Sequence, residues 1–349
     1  MTDIRWESYP LVAGDQTART WLQIQANLQL RTHTIGAYGR SLNDYLDFCV
    51  RHQVKPETIT REHFSLYVQD LSSRPNPKGA ARLTSGTGRG LSNATMQQRV
   101  TVVRLYQDYL VEQQMRADSP VRRGSYGAGT GFGGARQRGD IPIYRTLPWI
   151  PSDEQWQTLL TTLKQEPVRN QVMLLLAYDG ALRREELVTL ELSDFDFAYR
   201  QIRIRAVHAK NGVERIVGYG KTVTSPLLHA YLHRRRALLI SDGPLFLSES
   251  HRHFAGPLSP VMWSKIVAGL ASRVGLPRFT THTPRHLRLT HMARAHMDLH
   301  QIATYAGHRS LSTTMQYIHL TGGELTAAVS RSLEGFERWI ELILGAEHQ

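Results

Sequence analysis

A chain of 349 residues is long enough for two domains, each with its own core. Its 42 Lys and Arg stand against 30 Asp and Glu, giving a formal charge of +12 and a pI near 10.0, a balance that favours a polyanionic partner. A single cysteine, Cys49, excludes a disulfide framework and a thiolate metal cage. The acidic start and the lack of any run near the ~18 apolar residues of a membrane span point to a soluble, reducing, cytoplasmic protein.

The basic excess is not confined to one segment. Residues 1–122 carry 15 basic and 11 acidic side chains, residues 123–140 carry 3 and 1, and residues 141–349 carry 24 and 18. That spread suits a protein that grips one polyanion with all its parts; the rival reading is that charge only keeps the chain in solution.

In chain order, apolar residues recur at helical spacing over 20–26, 34–53, 61–71 and 93–114. Thr60 and Ser92 precede two of these runs and can cap them, so residues 1–122 are expected to form a small helical bundle. Between the third and fourth runs, Ser72 to Leu91 is polar and glycine-rich with Lys78, Arg82 and Arg89, either a loop touching a nucleic-acid backbone or a disordered insertion. Residues 123–140, RGSYGAGTGFGGARQRGD, hold seven glycines and no apolar period, and read as a basic tether.

The second domain is predicted over 141–349. Ser152 can cap a helix through Leu160, and Val168 to Tyr178 reads as a nearly all-apolar helix. Gln201 to Val207 alternates apolar and basic residues, and Val213 to Tyr219 can return against it through an Asn211-Gly212 turn that puts Lys210 near the tip. Helices are expected again over 259–274, over 284–297 and around Tyr317, where Ser312 can cap the short helix that carries the tyrosine. The fold class is thus mainly α with a small antiparallel β-sheet.

Phosphodiester transfer needs an alcohol nucleophile, cations that match the non-bridging oxygens, and a proton donor for the leaving oxygen. Arginine suits the second task, because its fork can hold two phosphate oxygens while charge grows on a pentacoordinate phosphorus. Four stretches offer such groups: ALRREEL at 181–187, Lys210 followed by Glu214-Arg215-Ile216-Val217, TPRHLRLTHMA at 283–293, and AGHRSLSTTMQY at 306–317. Any one arginine of a basic protein is more often a surface residue, and any one of 14 tyrosines is more often a core ring. The ordered combination is what carries weight.

These four stretches together resemble the tyrosine recombinases, also called phage-type integrases, and residues 1–122 resemble more loosely that family's helical core-binding domain. The resemblance implies a mixed α/β catalytic domain in which Arg183 and Arg288 clamp the scissile phosphate, Lys210 protonates the leaving 5′ oxygen, His308 hydrogen-bonds the phosphate, and Tyr317 forms a covalent 3′-phosphotyrosine. The nine-residue step from His308 to Tyr317 is the spacing the family uses, and Glu186 resembles the acid that supports the arginine from behind. Where the family most often has histidine three residues before the second arginine, this chain has Arg285, which is expected to bind phosphate and not to act as a base. His286 lies about 100° further round a helix and is expected to point elsewhere. What deprotonates Tyr317 stays open.

Five histidines between His282 and His300 raise a metal reading, since His296 and His300 are four apart. Acidic and cysteine partners are scarce there, and the chemistry needs no metal or other cofactor. The expected partner is double-stranded DNA with paired half-sites, bound by a homo-oligomer with two protomers per site and four in the synapse. The helix predicted over Leu325, Val329, Leu333, Phe336, Ile340 and Ile343, after the Gly322-Gly323 hinge, is expected to dock on a neighbouring protomer. The expected activity is site-specific DNA recombination or integration, as in a mobile genetic element; the alternatives are a relaxing type IB-like topoisomerase and a catalytically silent DNA-binding protein.

Overall fold

The structure is a computed structural model that describes residues 4–75, 90–121, 141, 147–209, 212–240 and 242–319. The chain divides into two compact units, Met1–Arg145 and Thr146–Gln349. No helix among the described residues is long and apolar enough to cross a membrane.

The described part of the first unit is all helical: α1 (Pro10–Gly14), α2 (Gln16–Asn27), α3 (Thr32–Arg51), α4 (Arg61–Ser73) and α5 (Asn93–Glu112). Aspartate and hydroxyl caps start three of them. Asp15 accepts the Ala18 N–H at 2.8 Å, Thr60 accepts that of His63, and Ser92 accepts that of Thr95. The apolar stripes of α3 and α5 meet over an aromatic core in which Trp21 stacks on Tyr38 and meets Tyr106 edge-on. Cys49 is buried in this core, and burial pushes its thiol up to about 12, so it stays protonated and inert. The basic residues Lys78, Arg82 and Arg89 of the long polar segment, and the glycine-rich tether, lie outside the described residues.

The second unit runs α6 (Asp153–Leu163), α7 (Val168–Asp179), α8 (Arg184–Val188), β1 (Phe195–Asp196), β2 (Gln201–Ile204), β3 (Arg215–Gly218), α9 (Thr224–Leu238), α10 (Pro260–Arg273), α11 (Thr283–Arg294), α12 (Leu299–Ala306) and α13 (Leu311–His319). Its three strands form one antiparallel sheet in the order β1-β2-β3. Ile202 and Val217 pair across it and face a core built from Leu174, Leu176, Tyr231, Phe246, Trp263 and Leu287.

Three local expectations are corrected. The β2–β3 ladder ends at the Ile204–Arg215 pair, so the strands are shorter than the alternation suggests and ten residues connect them; within that connection the Gly212 N–H donates to Ala209 O at 3.0 Å, while Val207 and Val213 are exposed. The helix predicted over 284–297 stops early, because His296 takes a left-handed φ of 56° and Asp298 caps a separate α12 through the His300 and Gln301 N–H groups. His296 and His300 therefore sit on different segments, and no metal-holding group of three ligands occurs among the described residues. Finally, Ser310 and not Ser312 precedes the tyrosine helix, accepting the Ser312 N–H at 3.3 Å.

Candidate active site

The site is assembled where α7 ends, where β3 begins, and where α11, α12 and α13 meet. Helix α7 closes with Leu182 N–H on Ala177 O and Ala181 N–H on Tyr178 O. The left-handed position of that cap, usually glycine, is Ala181 at φ 47°. The turn delivers Arg183 to the start of α8 and frees the Ala181 carbonyl for another partner.

Glu186, 1% exposed, is the anchor of the site. Its carboxylate accepts both terminal nitrogens of Arg215, at 3.0 and 2.7 Å, together with Arg183 Nη1 at 2.8 Å and the Arg183 backbone N–H at 2.9 Å. Burial alone would raise its pKa; the Arg215 fork and then Arg183 outweigh that and hold the carboxyl at about 2. The carboxylate thus stays ionised and orients two guanidinium groups at once. Arg183 spends its other terminal nitrogen on the Gly307 carbonyl at 3.2 Å. Gly307 takes φ 63° as the cap of α12, and a Cβ there would come within 3.2 Å of the Arg215 side chain, so only glycine suits both the backbone and the close approach.

Arg285, 4% exposed on the first turn of α11, donates from Nη1 to Ala181 O at 2.5 Å and from Nη2 to Ala306 O at 2.6 Å. The same Nη2 lies 3.0 Å from His308 Nε2. Burial first, and then the like charge of Arg183, push this guanidinium down to about 9, which leaves it protonated at neutral pH. His308 is pushed down to about 3 by burial and then by Arg285, Arg183 and Arg215. Its neutral ring turns Nδ1 to the buried hydroxyl of Thr314 at 2.8 Å.

Tyr317, 1% exposed on α13, lays its ring parallel to His308 with centroids 6.1 Å apart, and its hydroxyl meets His286 Nδ1 at 2.9 Å. Burial raises the phenol pKa while Arg285 and Arg183 pull it down. The floor beneath is apolar, with Ala181, Leu289, Met292, Ile302 and Ala306. A cleft of about 250 Å³ opens beside this group, lined among others by Arg183, Ala209, Arg215, Gly307, His308 and Arg309. Tyr305 braces the floor: its hydroxyl donates to Asp179 O at 2.8 Å and accepts the Gly218 N–H at 3.1 Å, tying α7 to β3.

Of the residues singled out from the sequence, Arg183, Arg285, His308 and Tyr317 come together. Lys210 lies outside the described residues; Ala209, the residue before it in sequence, lines the cleft. Arg288 goes elsewhere: its guanidinium sits over the Tyr178 ring, 5.5 Å from the centroid, and Tyr178 in turn bonds His291. Arg285 and not Arg288 stands beside His308. His282 stands three residues before Arg285, which is the histidine-to-arginine spacing that the resemblance implies. His286 does not point away, because α13 crosses α11 so that the Tyr317 hydroxyl reaches it. Two participants were missed, Arg215 and Thr314. Arg215 had a signal: it is in phase with the inward-facing Val217, while Ile216 between them is 59% exposed.

The profile of the phage integrase family matches residues 151–324. The tyrosine recombinase XerC of Herpetosiphon aurantiacus is 27% identical over 296 residues, covering 84% of this chain and 86% of its own length. The tyrosine recombinase XerD of Oceanobacillus iheyensis is 28% identical over 304 residues, covering 85% and 90%. Among solved structures, the XerH site-specific recombinase bound to palindromic difH substrate in a post-cleavage complex shares the fold with a TM-score of 0.63 at 19% identity, covering 85% of this chain and 79% of that one. The Tn1549 transposon integrase in complex with circular intermediate DNA follows with a TM-score of 0.61 at 15% identity, covering 84% and 92%. With a buried tyrosine stacked on a histidine beside two arginines, and with relatives of this kind along most of its length, the chain belongs to the phage integrase family of tyrosine recombinases.

Proposed function

We propose that this chain cuts and rejoins double-stranded DNA at specific sites with Tyr317 as nucleophile, Arg183 and Arg285 as the clamp on the scissile phosphate, and His308 as a third phosphate ligand. The chain is a DNA-binding recombinase that works by strand cleavage and transesterification. The observation that carries the residue assignment is the stack of Tyr317 on His308, whose Nε2 lies 3.0 Å from Arg285.

In the cleavage step the Tyr317 oxygen attacks phosphorus and loses its proton. The bond from phosphorus to the 5′ oxygen breaks, and a 3′-phosphotyrosine remains. Arg183 and Arg285 face the charge that grows on the non-bridging oxygens, and in this site that charge meets preorganised donors in place of reorganising water. The partners of Arg285 use three of its five N–H groups, leaving two for phosphate. Lys210 supplies the proton to the leaving oxygen. The ester conserves the energy of the broken bond, so a second 5′ hydroxyl can reverse the step on another strand without a cofactor.

The larger organisation follows the same reading. Residues 1–122 act as the core-binding domain and 141–349 as the catalytic domain, on DNA with paired half-sites in the cytoplasm. Two protomers occupy each site and four form the synapse, joined by the segment from Leu325 to Ile343. The test is a supercoiled plasmid carrying two copies of a site identified by sequencing trapped adducts. Recombinant circles support the reading; relaxed topoisomers alone identify a topoisomerase, and absence of any cleavage identifies a silent DNA-binding protein.

A further inference from the structure

The proton on Tyr317 has to leave as the phenol attacks phosphorus, and the arrangement around its hydroxyl narrows where it goes. Arg285 has no lone pair to offer. His308 has both ring nitrogens committed, Nε2 to Arg285 Nη2 at 3.0 Å and Nδ1 to Thr314 at 2.8 Å, and it meets Tyr317 through its ring face at 6.1 Å. Among the described residues, His286 alone brings a ring nitrogen to the hydroxyl, at 2.9 Å, from a ring tilted 32° to the phenol.

We propose, on the strength of the recombinase reading above, that His286 is the catalytic base that takes the Tyr317 proton. The step balances as follows. The phenolic O–H bond breaks and its proton moves to His286 Nδ1. The phenolic oxygen forms the new bond to phosphorus, the bond to the 5′ oxygen breaks, and that oxygen takes a proton from Lys210. When the 5′ hydroxyl of a partner strand attacks the ester, His286 returns its proton to the departing tyrosine.

The surroundings suit a base whose strength rises when substrate arrives. The titratable and charged groups bearing on the His286 ring are His282 just before α11, Arg285 of α11, His308 from the turn before α13, and Tyr317 of α13. The other helices packed on α11 turn their tyrosines away, Tyr178 to His291 and Tyr305 to Asp179. Burial above all, and then the neighbouring His282 and the Arg285 guanidinium, push His286 down to about 4, so the ring is neutral and able to accept a proton at pH 7. A phosphate seated between Arg183 and Arg285 offsets their charge and raises that pKa toward the range in which general bases work.

Single-turnover cleavage of a nicked duplex, followed as covalent adduct across pH, tests this with the full-length protein. Wild type is expected to slow as pH falls through the His286 titration. H286A and H286N are expected to lose that acid-side limb and to cleave about 100-fold more slowly, with DNA affinity unchanged. H286N separates proton transfer from placement, since an amide can accept the phenol hydrogen bond but not the proton. Wild-type rates in H286N would reduce His286 to a positioning residue, and an unchanged or faster H286A with a wild-type pH profile would remove it from the reaction. If wild type forms no adduct on Tyr317, it is the recombinase assignment that fails and not this one.

Discussion

Arg285 Nη2 and His308 Nε2 stand 3.0 Å apart, and because a guanidinium only donates, the histidine nitrogen must carry a lone pair. The proton of the neutral ring therefore sits on Nδ1 and is donated to Thr314 Oγ1 at 2.8 Å. In the DNA-free protein His308 has no N–H to give a phosphate from Nε2, and it gains one only by taking up a proton or by turning its ring as substrate enters.

Long-range proton–nitrogen NMR of the histidines is thus expected to show His308 in the Nδ1–H form. Thr314→Val leaves that N–H buried without an acceptor, at a cost of about 1–3 kcal/mol in stability. It also releases the ring from its fixed orientation beside Arg285 and Tyr317, so cleavage should fall about tenfold or more while DNA affinity holds. An Nε2–H signal for His308 in wild type would contradict this arrangement.

Arg285 and Arg288 separate by placement, one beside His308 and the other over Tyr178. Arg285→Lys keeps a charge but loses the fork and its carbonyl anchors, so adduct formation should drop about 100-fold or more with little change in DNA affinity. Arg288→Gln removes a cation from the face of Tyr178 and should change cleavage by no more than a few-fold. The same pair of single-turnover rates decides the matter; a larger loss for Arg288→Gln would return that residue to the clamp.

The extent to which the site was legible follows from these particulars. Arg183, Glu186, His308 and Tyr317 were readable because each lies in a short stretch with fixed spacing. Arg285 and Arg288 are three apart on one helix, about 60° of rotation from each other, and spacing alone does not choose between them. The choice is made by carbonyls distant in sequence, Ala181 O and Ala306 O, which the end of α7 and the end of α12 present to Arg285. His286 was set aside on helical geometry, yet the crossing of α13 over α11 brings the tyrosine to it, and a crossing is not written in either helix. The period-two pattern of β2 and β3 was legible, whereas their length was not, since Val207 and Val213 look like strand residues but are exposed beyond the end of the ladder.

Acid stability offers a third check. A free carboxyl of this kind titrates near 4.5 and Glu186 near 2, so its ion pairs contribute fully above pH 4.5 and are lost as pH falls through 2. The shift corresponds to a contribution on the order of 3 kcal/mol. His286 and His308, held neutral with pKa values of about 4 and about 3 against 6.5 when free, add a loss that begins as pH falls below 6.5. Denaturant unfolding at stepped pH should therefore show stability falling from pH 6.5 downward. In Glu186→Gln, two guanidinium groups lose their buried counter-charge, so stability should be lower by about 3–5 kcal/mol already at pH 7. A flat profile between pH 6.5 and 4, or a fully stable Glu186→Gln, would contradict the site electrostatics.

The central claim, that Tyr317 makes the bond to DNA, is most directly tested by trapping the protein on a nicked duplex, digesting it, and locating the nucleotide-bearing peptide by mass spectrometry. The expected result is a single modified peptide containing Tyr317, absent in Tyr317→Phe even though that variant still binds the duplex, because the ring and its stack on His308 survive while the attacking oxygen is gone. An adduct that persists in Tyr317→Phe, or one that maps to a different tyrosine, would contradict it.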